Sequence, residues 1–460
     1  MDALTDITLA GGSHGSQTAS QAKLEGDAGK PHTYDLAPRP QTLADTGLDQ
    51  AFLTELIAKH LYQSGVSSIR QLAEKSALSG TLVESLLHLL RQEALVEVLG
   101  QQADSRQLRF GLTDRGRQAA QVAFAQRGYV GPAPVPLEHY RRVVAGQSIH
   151  HSHVTRAGIN RAFSGVVVRP EILDQLGPAV ISGRSIFIYG PAGTGKTFLS
   201  QRLNRLFGDS CLIPYALYVN DQVVQVFDPL IHHRIDSQTA PGEQPWLLAE
   251  GEDPRFCRCR RPVVVTGGEL TLDMLEVFYD PVTREYRAPL QLKANSGMFI
   301  IDDMGRQHAS PMQIFNRWIV PLEDKHDYLS LGAGRHFQTP FDQVLVFSSN
   351  IDPRELADEA FLRRIGYKIH FDHINADEYR QIWQQVCDER GLTYDASQAD
   401  YVIDNLHGPR QIPMCPCHPR DLIGIACDRL RYLDQGGELT PALMTWAWET
   451  YFVQMNAAVD

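Results

Sequence analysis

Residues 190–197 read Gly-Pro-Ala-Gly-Thr-Gly-Lys-Thr, directly after the apolar run Ile186, Phe187, Ile188 and Tyr189 and directly before a segment, 196–206, that reads as a helix. Strand, glycine-rich turn and helix in that order make a phosphate-binding (Walker A) loop. Gly190, Gly193 and Gly195 let the backbone turn tightly, with Pro191, Ala192 and Thr194 between them. Successive N–H groups and the helix start can then point at phosphate oxygens. Lys196 adds a cation at the β and γ phosphates, and Thr197 offers a hydroxyl to Mg²⁺. The segment is expected to bind ATP with Mg²⁺.

A second element should bring a carboxylate to the end of a buried strand. Residues 298–303, Met-Phe-Ile-Ile-Asp-Asp, do so as a Walker B segment. Asp302, followed by Asp303, is expected to hold the metal. A third apolar strand, 344–349, ends at Asn350 and runs into Ile-Asp-Pro; an Asn-capped turn is the plainer reading of that residue. Two further segments follow, LADEAFLRRIGYKI at 356–369 and CHPRDLI at 417–423.

Taken in order, these five segments resemble AAA+ ATPases over residues 186–423, a little more than half of the chain. The resemblance implies an α/β fold: a parallel sheet sandwiched by helices over 151–372 and a helical lid over 373–460. It implies that Asn350 is the polar sensor on the strand beside Walker B. Arg364, in preference to Arg363, would be the arginine finger offered to a neighbouring subunit's γ phosphate, and Arg420 would be the sensor of the lid. Self-association into a ring of the hexamer type would follow, with catalysis shared between copies. Two departures stand out. Asp303 occupies the place where the family usually has a glutamate that activates the attacking water; it would act there as general base, and slow or partner-stimulated hydrolysis is expected. The interval from Thr197 to Asp302 is long, implying an insertion at about 208–260, with hairpins around 220–221, 281–283 and 332–334 as client-contact or subunit-contact loops.

The rest of the chain is read from periodicity. Residues 1–48 are rich in Gly, Ser, Gln, Asp and Pro and read as a mobile tail. Over 49–130, three helical periods, two extended pieces flanking a polar turn at 103–105, and a closing helix from Thr113 make a winged helix; LRFGLTDRGRQAA resembles the wing and following helix of many bacterial winged-helix proteins. Its third helix has no Lys or Arg before Arg91, and the wing supplies only Arg106 and Arg109. Base and phosphate contacts usually need cations near the helix start, so recruitment of a protein client is favoured over ATP-gated DNA binding. Residues 131–150, opening with Gly-Pro-Ala-Pro-Val-Pro, read as a stiff linker.

A formal net charge of −11 opposes general attraction to nucleic acid. No apolar run reaches the roughly 18–20 residues of a membrane-spanning helix, and an odd set of seven cysteines suggests no disulfide framework. A cytoplasmic protein without membrane insertion is expected. Cys257 and Cys259, together with Cys415, Cys417 and His418, could make a zinc site, with free thiols as the default. A small-molecule kinase has no use for the later segments.

Overall fold

Three apolar runs, at 186–189, 298–301 and 344–347, become neighbouring strands of one sheet. The chain's fold is given by a computed structural model, which describes residues 36–100, 108–151, 154–235, 251–332, 334–434 and 438–452. Five parallel strands lie in the order Val263–Thr266, Gly297–Ile301, Gln343–Ser349, Ile186–Tyr189 and Tyr367–His370. Alternate side chains leave opposite faces of a strand, and here both faces are covered. Ile186, Ile188, Met298, Ile300, Val344 and Val346 pack with Ile159, Phe163, Leu176 and Val180 on one side. Phe187, Phe299, Ile301, Leu345 and Phe347 pack with Ile314, Phe315, Trp318 and Phe361 on the other. Two-sided burial is why the three inner strands are largely apolar. The parallel direction brings every strand's carboxyl end to one edge, where ligands of such sheets bind.

Beyond Asp372 the described chain is helical. Ala376–Arg390 starts at Asn375, whose side chain and Glu378 form a reciprocal cap. It packs with Cys417–Tyr432, which in turn packs against Pro441–Tyr451, around Tyr379, Trp383, Leu422, Met444 and Trp448. Arg169 ties this unit to the sheet, pairing with Glu378 at 2.7 Å and donating to the His373 carbonyl at 2.6 Å.

At the other end, helices Gln50–Ser64, Ile69–Ser76, Gly80–Gln92 and Asp114–Gln126 stand where the periodicity puts them. A three-stranded antiparallel sheet runs in the order Val66–Ser68, Arg109–Leu112, Val96–Val98. The strand Val66–Ser68 has no sequence signal because three residues are too few for a period. The polar turn at 103–105 and Arg106 lie outside the described residues, as do residues 1–35.

Between these parts the sequence expectations need correction. Residues 131–136 do not form a free linker: Ala133 and Val135 are fully buried, and Val135–Pro136 pairs in parallel with Leu217 and Tyr218. The described end of the expected tail is also packed, with Ala37, Thr46 and Leu48 buried. The three hairpins are present but share a core instead of projecting singly. Ala216–Val219 and Gln222–Gln225, turning through Asn220 and Asp221 at positive φ, join Phe278–Asp280 and Glu285–Arg287 in one sheet. The ladder Ser210–Pro214 with Phe256–Arg260 and the hairpin His326–Ser330 with His336–Pro340 pack onto the same apolar cluster. Of the expected insertion at 208–260, residues 236–250 lie outside the described residues; Ala333 of the third turn does too.

Arg255 locks this middle unit. Its side chain is 1% exposed, pairs with Asp253 at 2.8 Å and donates to the Thr46 carbonyl at 2.8 Å. Replacing it leaves a buried carboxylate without its cation. Arg255→Ala is expected to cost about 3–5 kcal/mol, read as a lowered urea midpoint; an unchanged midpoint would show that the clamp contributes nothing.

Candidate functional site

The phosphate loop leaves the sheet at Tyr189, and its glycines are required by what surrounds them. Gly190 has φ 141°, and a Cβ there would lie 1.9 Å from the Phe371 carbonyl oxygen. Gly193 has φ 80°, and a Cβ would lie 2.8 Å from Cys417 Sγ, on the helical unit. Gly195, at φ 83°, precedes the helix Lys196–Arg202, which continues as a tighter turn to Leu206.

Lys196 is the centre of the arrangement. Its ammonium donates to the Gly190 carbonyl at 2.8 Å, the Pro191 carbonyl at 2.7 Å and Asn350 Oδ1 at 2.7 Å. Burial lowers its pKa, while Asp302 and Asp303 pull the other way. The Thr197 hydroxyl donates to Asp302 Oδ2 at 2.6 Å. The amide of Asn350 faces both ways: its oxygen accepts from Lys196 and its nitrogen lies 3.4 Å from Asp303 Oδ1. Side chains from two parallel strand ends and a helix start, with the carbonyls that follow a third strand, thus meet at one point.

Asp303 has φ 49°. Asp and Asn are several-fold enriched in this left-handed conformation, which gives a local reason for aspartate at this place. Gln307, which the motifs do not mark, holds the turn: it accepts from the Gly305 N–H at 2.9 Å and donates to the Asp302 carbonyl at 3.0 Å. Ser349 adds a hydrogen bond of 2.7 Å to the Met304 carbonyl.

These groups line a cavity of about 740 Å³. Val166 and Val167 border it from the core, Ile382 and Gln385 from the helix Ala376–Arg390, and Arg420 from the helix Cys417–Tyr432. Arg420 is 55% exposed and meets Glu389 at 3.2 Å. Such a pair is worth at most about 1 kcal/mol, so the guanidinium is readily redirected. Arg363 and Arg364 end the helix Glu359–Arg364 and do not line the cavity. Arg363 is 75% exposed and pairs with Glu359, whereas Arg364 is tied to Glu323 at 2.6 Å.

The hydroxyl of Thr197 and the carboxylates of Asp302 and Asp303 form an all-oxygen donor set that suits a hard cation such as Mg²⁺. The cysteines do not form the zinc site considered above. Cys415 and Cys417 lie against the phosphate loop, Cys415 Sγ being 3.6 Å from the Ala192 carbonyl, while Cys257 and Cys259 sit on the strand Phe256–Arg260 in the middle unit. Among the described residues no group of three or more His, Cys, Asp or Glu side chains converges. Also among the described residues, no helix is long and apolar enough to cross a membrane.

Gly193→Ala is expected to weaken ATP binding about tenfold, through a left-handed strain of roughly 1–2 kcal/mol and the Cys417 contact. Titration with a fluorescent ATP analogue checks this; unaltered affinity would mean that the loop relaxes freely.

A family model described as a domain of unknown function, DUF8689, matches residues 375–450, the helical C-terminal unit and well under half of the chain. No curated protein matches the sequence. Several solved structures are similar to this chain at low identity. One is a mutant of Thermotoga maritima RuvB, at 12% identity and TM-score 0.38, covering 62% of this chain and 70% of that one. Another is NtrX from Brucella abortus, at 12% and 0.39, covering 65% and 59%. Domain III of the Thermotoga maritima replication initiation protein DnaA aligns at 14% and 0.35, covering 64% and 98%. At this distance the alignments say nothing of the site, whose reading rests on its own geometry.

Proposed function

We propose that the chain is a Mg²⁺-dependent ATPase of the AAA+ type that assembles into a ring of the hexamer type and remodels a protein client. The observation that carries the reading is the meeting of Lys196, Thr197, Asp302, Asp303 and Asn350 at one end of a cavity that Arg420 closes from the helical side.

In this reading the loop 190–197 wraps the phosphates with its N–H groups. Lys196 exchanges one of its protein acceptors for a β or γ oxygen. Thr197 and Asp302 hold Mg²⁺, which when bound supplies charge neutralisation at the phosphates. Asp303 takes the proton of the attacking water, and Asn350, bonded to Lys196, positions that carboxylate and the water. Arg420 reaches the phosphates from the lid, residues 373–460. A finger, Arg364 with Arg363 beside it, serves the site of the next copy; its place outside its own cavity agrees with use in trans.

Residues 49–130 act as a winged-helix recruitment module on the core of residues 151–372. The outward side of the helix Gly80–Gln92 presents Thr81, Glu84, Ser85 and His88 before Arg91, a surface suited to a protein partner and poor in the cations that duplex DNA requires.

Complementation tests the shared site. Lys196→Ala, and Arg363→Ala with Arg364→Ala, are each expected to lose turnover alone, the arginine variant by about 1000-fold. Mixed, they should regain part of it, because an intact finger meets an intact loop in some interfaces. Wild-type turnover by the arginine variant would overturn the trans-acting finger.

A further inference from the structure

Cys257 and Cys259 stand two residues apart on the strand Phe256–Arg260, so both side chains leave the same face. Their sulfurs are 3.6 Å apart, the Cys259 thiol donating to Cys257 Sγ. Residues 233–235 run alongside, with the Ile235 N–H bonded to the Arg258 carbonyl at 2.9 Å and the Arg260 N–H to the His233 carbonyl at 3.0 Å. This run carries the exposed Arg234 over the rings of Tyr215 and Phe227, at 5.4 and 4.9 Å.

The hydrogen bond from Cys259 outweighs burial and, with Arg234 and the Tyr215 hydroxyl, brings the Cys257 thiol down to about 7. Near neutral pH a large share of Cys257 is therefore thiolate, the form that reacts. Other buried thiols are held protonated: burial pushes Cys211 up to about 12 and Cys387 and Cys415 up to about 11.

We propose that Cys257 and Cys259 form a redox-active dithiol that exchanges with small disulfides of the glutathione class, Cys257 attacking and Cys259 resolving. In the first step the Cys257 thiolate attacks one sulfur of the small disulfide; that S–S bond breaks and one small thiolate leaves and takes a proton. In the second, Cys259 attacks Cys257 Sγ and passes its proton to the small sulfur as the bond between that sulfur and Cys257 breaks, so that the second small thiol leaves. Two protein thiols are oxidised and one small disulfide is reduced to two thiols.

Two residues of extended strand span about 6.6–6.8 Å, the upper end of the roughly 4.4–6.8 Å that a disulfide bridges. The closed form is therefore under tension and reopens with excess thiol, which suits a switch and not a staple.

The test exposes the full chain to oxidised glutathione at pH 7, quenches with iodoacetamide and maps peptides by mass spectrometry. The expected result is an internal Cys257–Cys259 disulfide that reduced glutathione reverses. Cys259→Ser should instead retain glutathione on Cys257, and Cys257→Ser should leave Cys259 reduced. Arg234→Ala, at an exposed position, should slow the first step about threefold, the lost thiolate fraction being partly offset by greater nucleophilicity. Alkylation of Cys257 no faster than that of buried Cys387, or a disulfide that forms equally well in Cys257→Ser through other thiols, would overturn the proposal.

Discussion

A buried cation with three protein acceptors organises this molecule. Lys196 reaches from the start of its helix back to the Gly190 and Pro191 carbonyls and across to Asn350 at the end of the neighbouring strand. Burial opposes its charge, and Asp302 and Asp303 oppose that loss. A charge in such a place is tolerated only when its hydrogen bonds are made, so the loop, the two acidic residues and the sheet edge are specified together. The glycines follow from the same constraint, since Gly190 must pass against the Phe371 carbonyl and Gly193 against Cys417.

Buried arginines fasten the middle unit to the segments around it. Arg261 pairs with Asp209 at 2.7 Å and donates to the Gln147 and Ser296 carbonyls at 3.0 and 2.8 Å. One buried guanidinium thus fastens residues before the strand Ile186–Tyr189, after the helix Lys196–Arg202 and immediately before the strand Gly297–Ile301. Arg255 does the same between residues 46, 134 and 253. On the N-terminal side, Arg127 links Glu55 at 2.5 Å to the Asp221 carbonyl at 3.1 Å, docking the first helices on the tip of a hairpin.

How much of this was legible in the sequence follows from the range of each interaction. The three inner core strands were readable because two-sided burial makes each largely apolar. Residues 190–197, Asp302 and Asn350 stand out in the sequence because each is marked within a few adjacent residues, and the structure joins Lys196 to Asn350 and Thr197 to Asp302 by hydrogen bonds. Pairings without a local signature were not readable. Val135–Pro136 meets Leu217 and Tyr218, and Glu285–Arg287 joins Gln222–Gln225 in parallel, so the supposed linker and two of the three hairpins are parts of one sheet. Gln307 and the approach of Cys417 to Gly193 were invisible for the same reason. The positive φ of Asp303 supplies a backbone reason for an acid that the motif alone leaves unexplained.

The most direct test of the central claim, that Lys196, Thr197, Asp302 and Asn350 build a nucleotide site, is calorimetric titration of the full chain with a non-hydrolysable ATP analogue, with and without Mg²⁺. The predicted result is one analogue bound per chain, tighter with Mg²⁺ than without. No binding, or binding equally tight in the presence of a chelator, would contradict it.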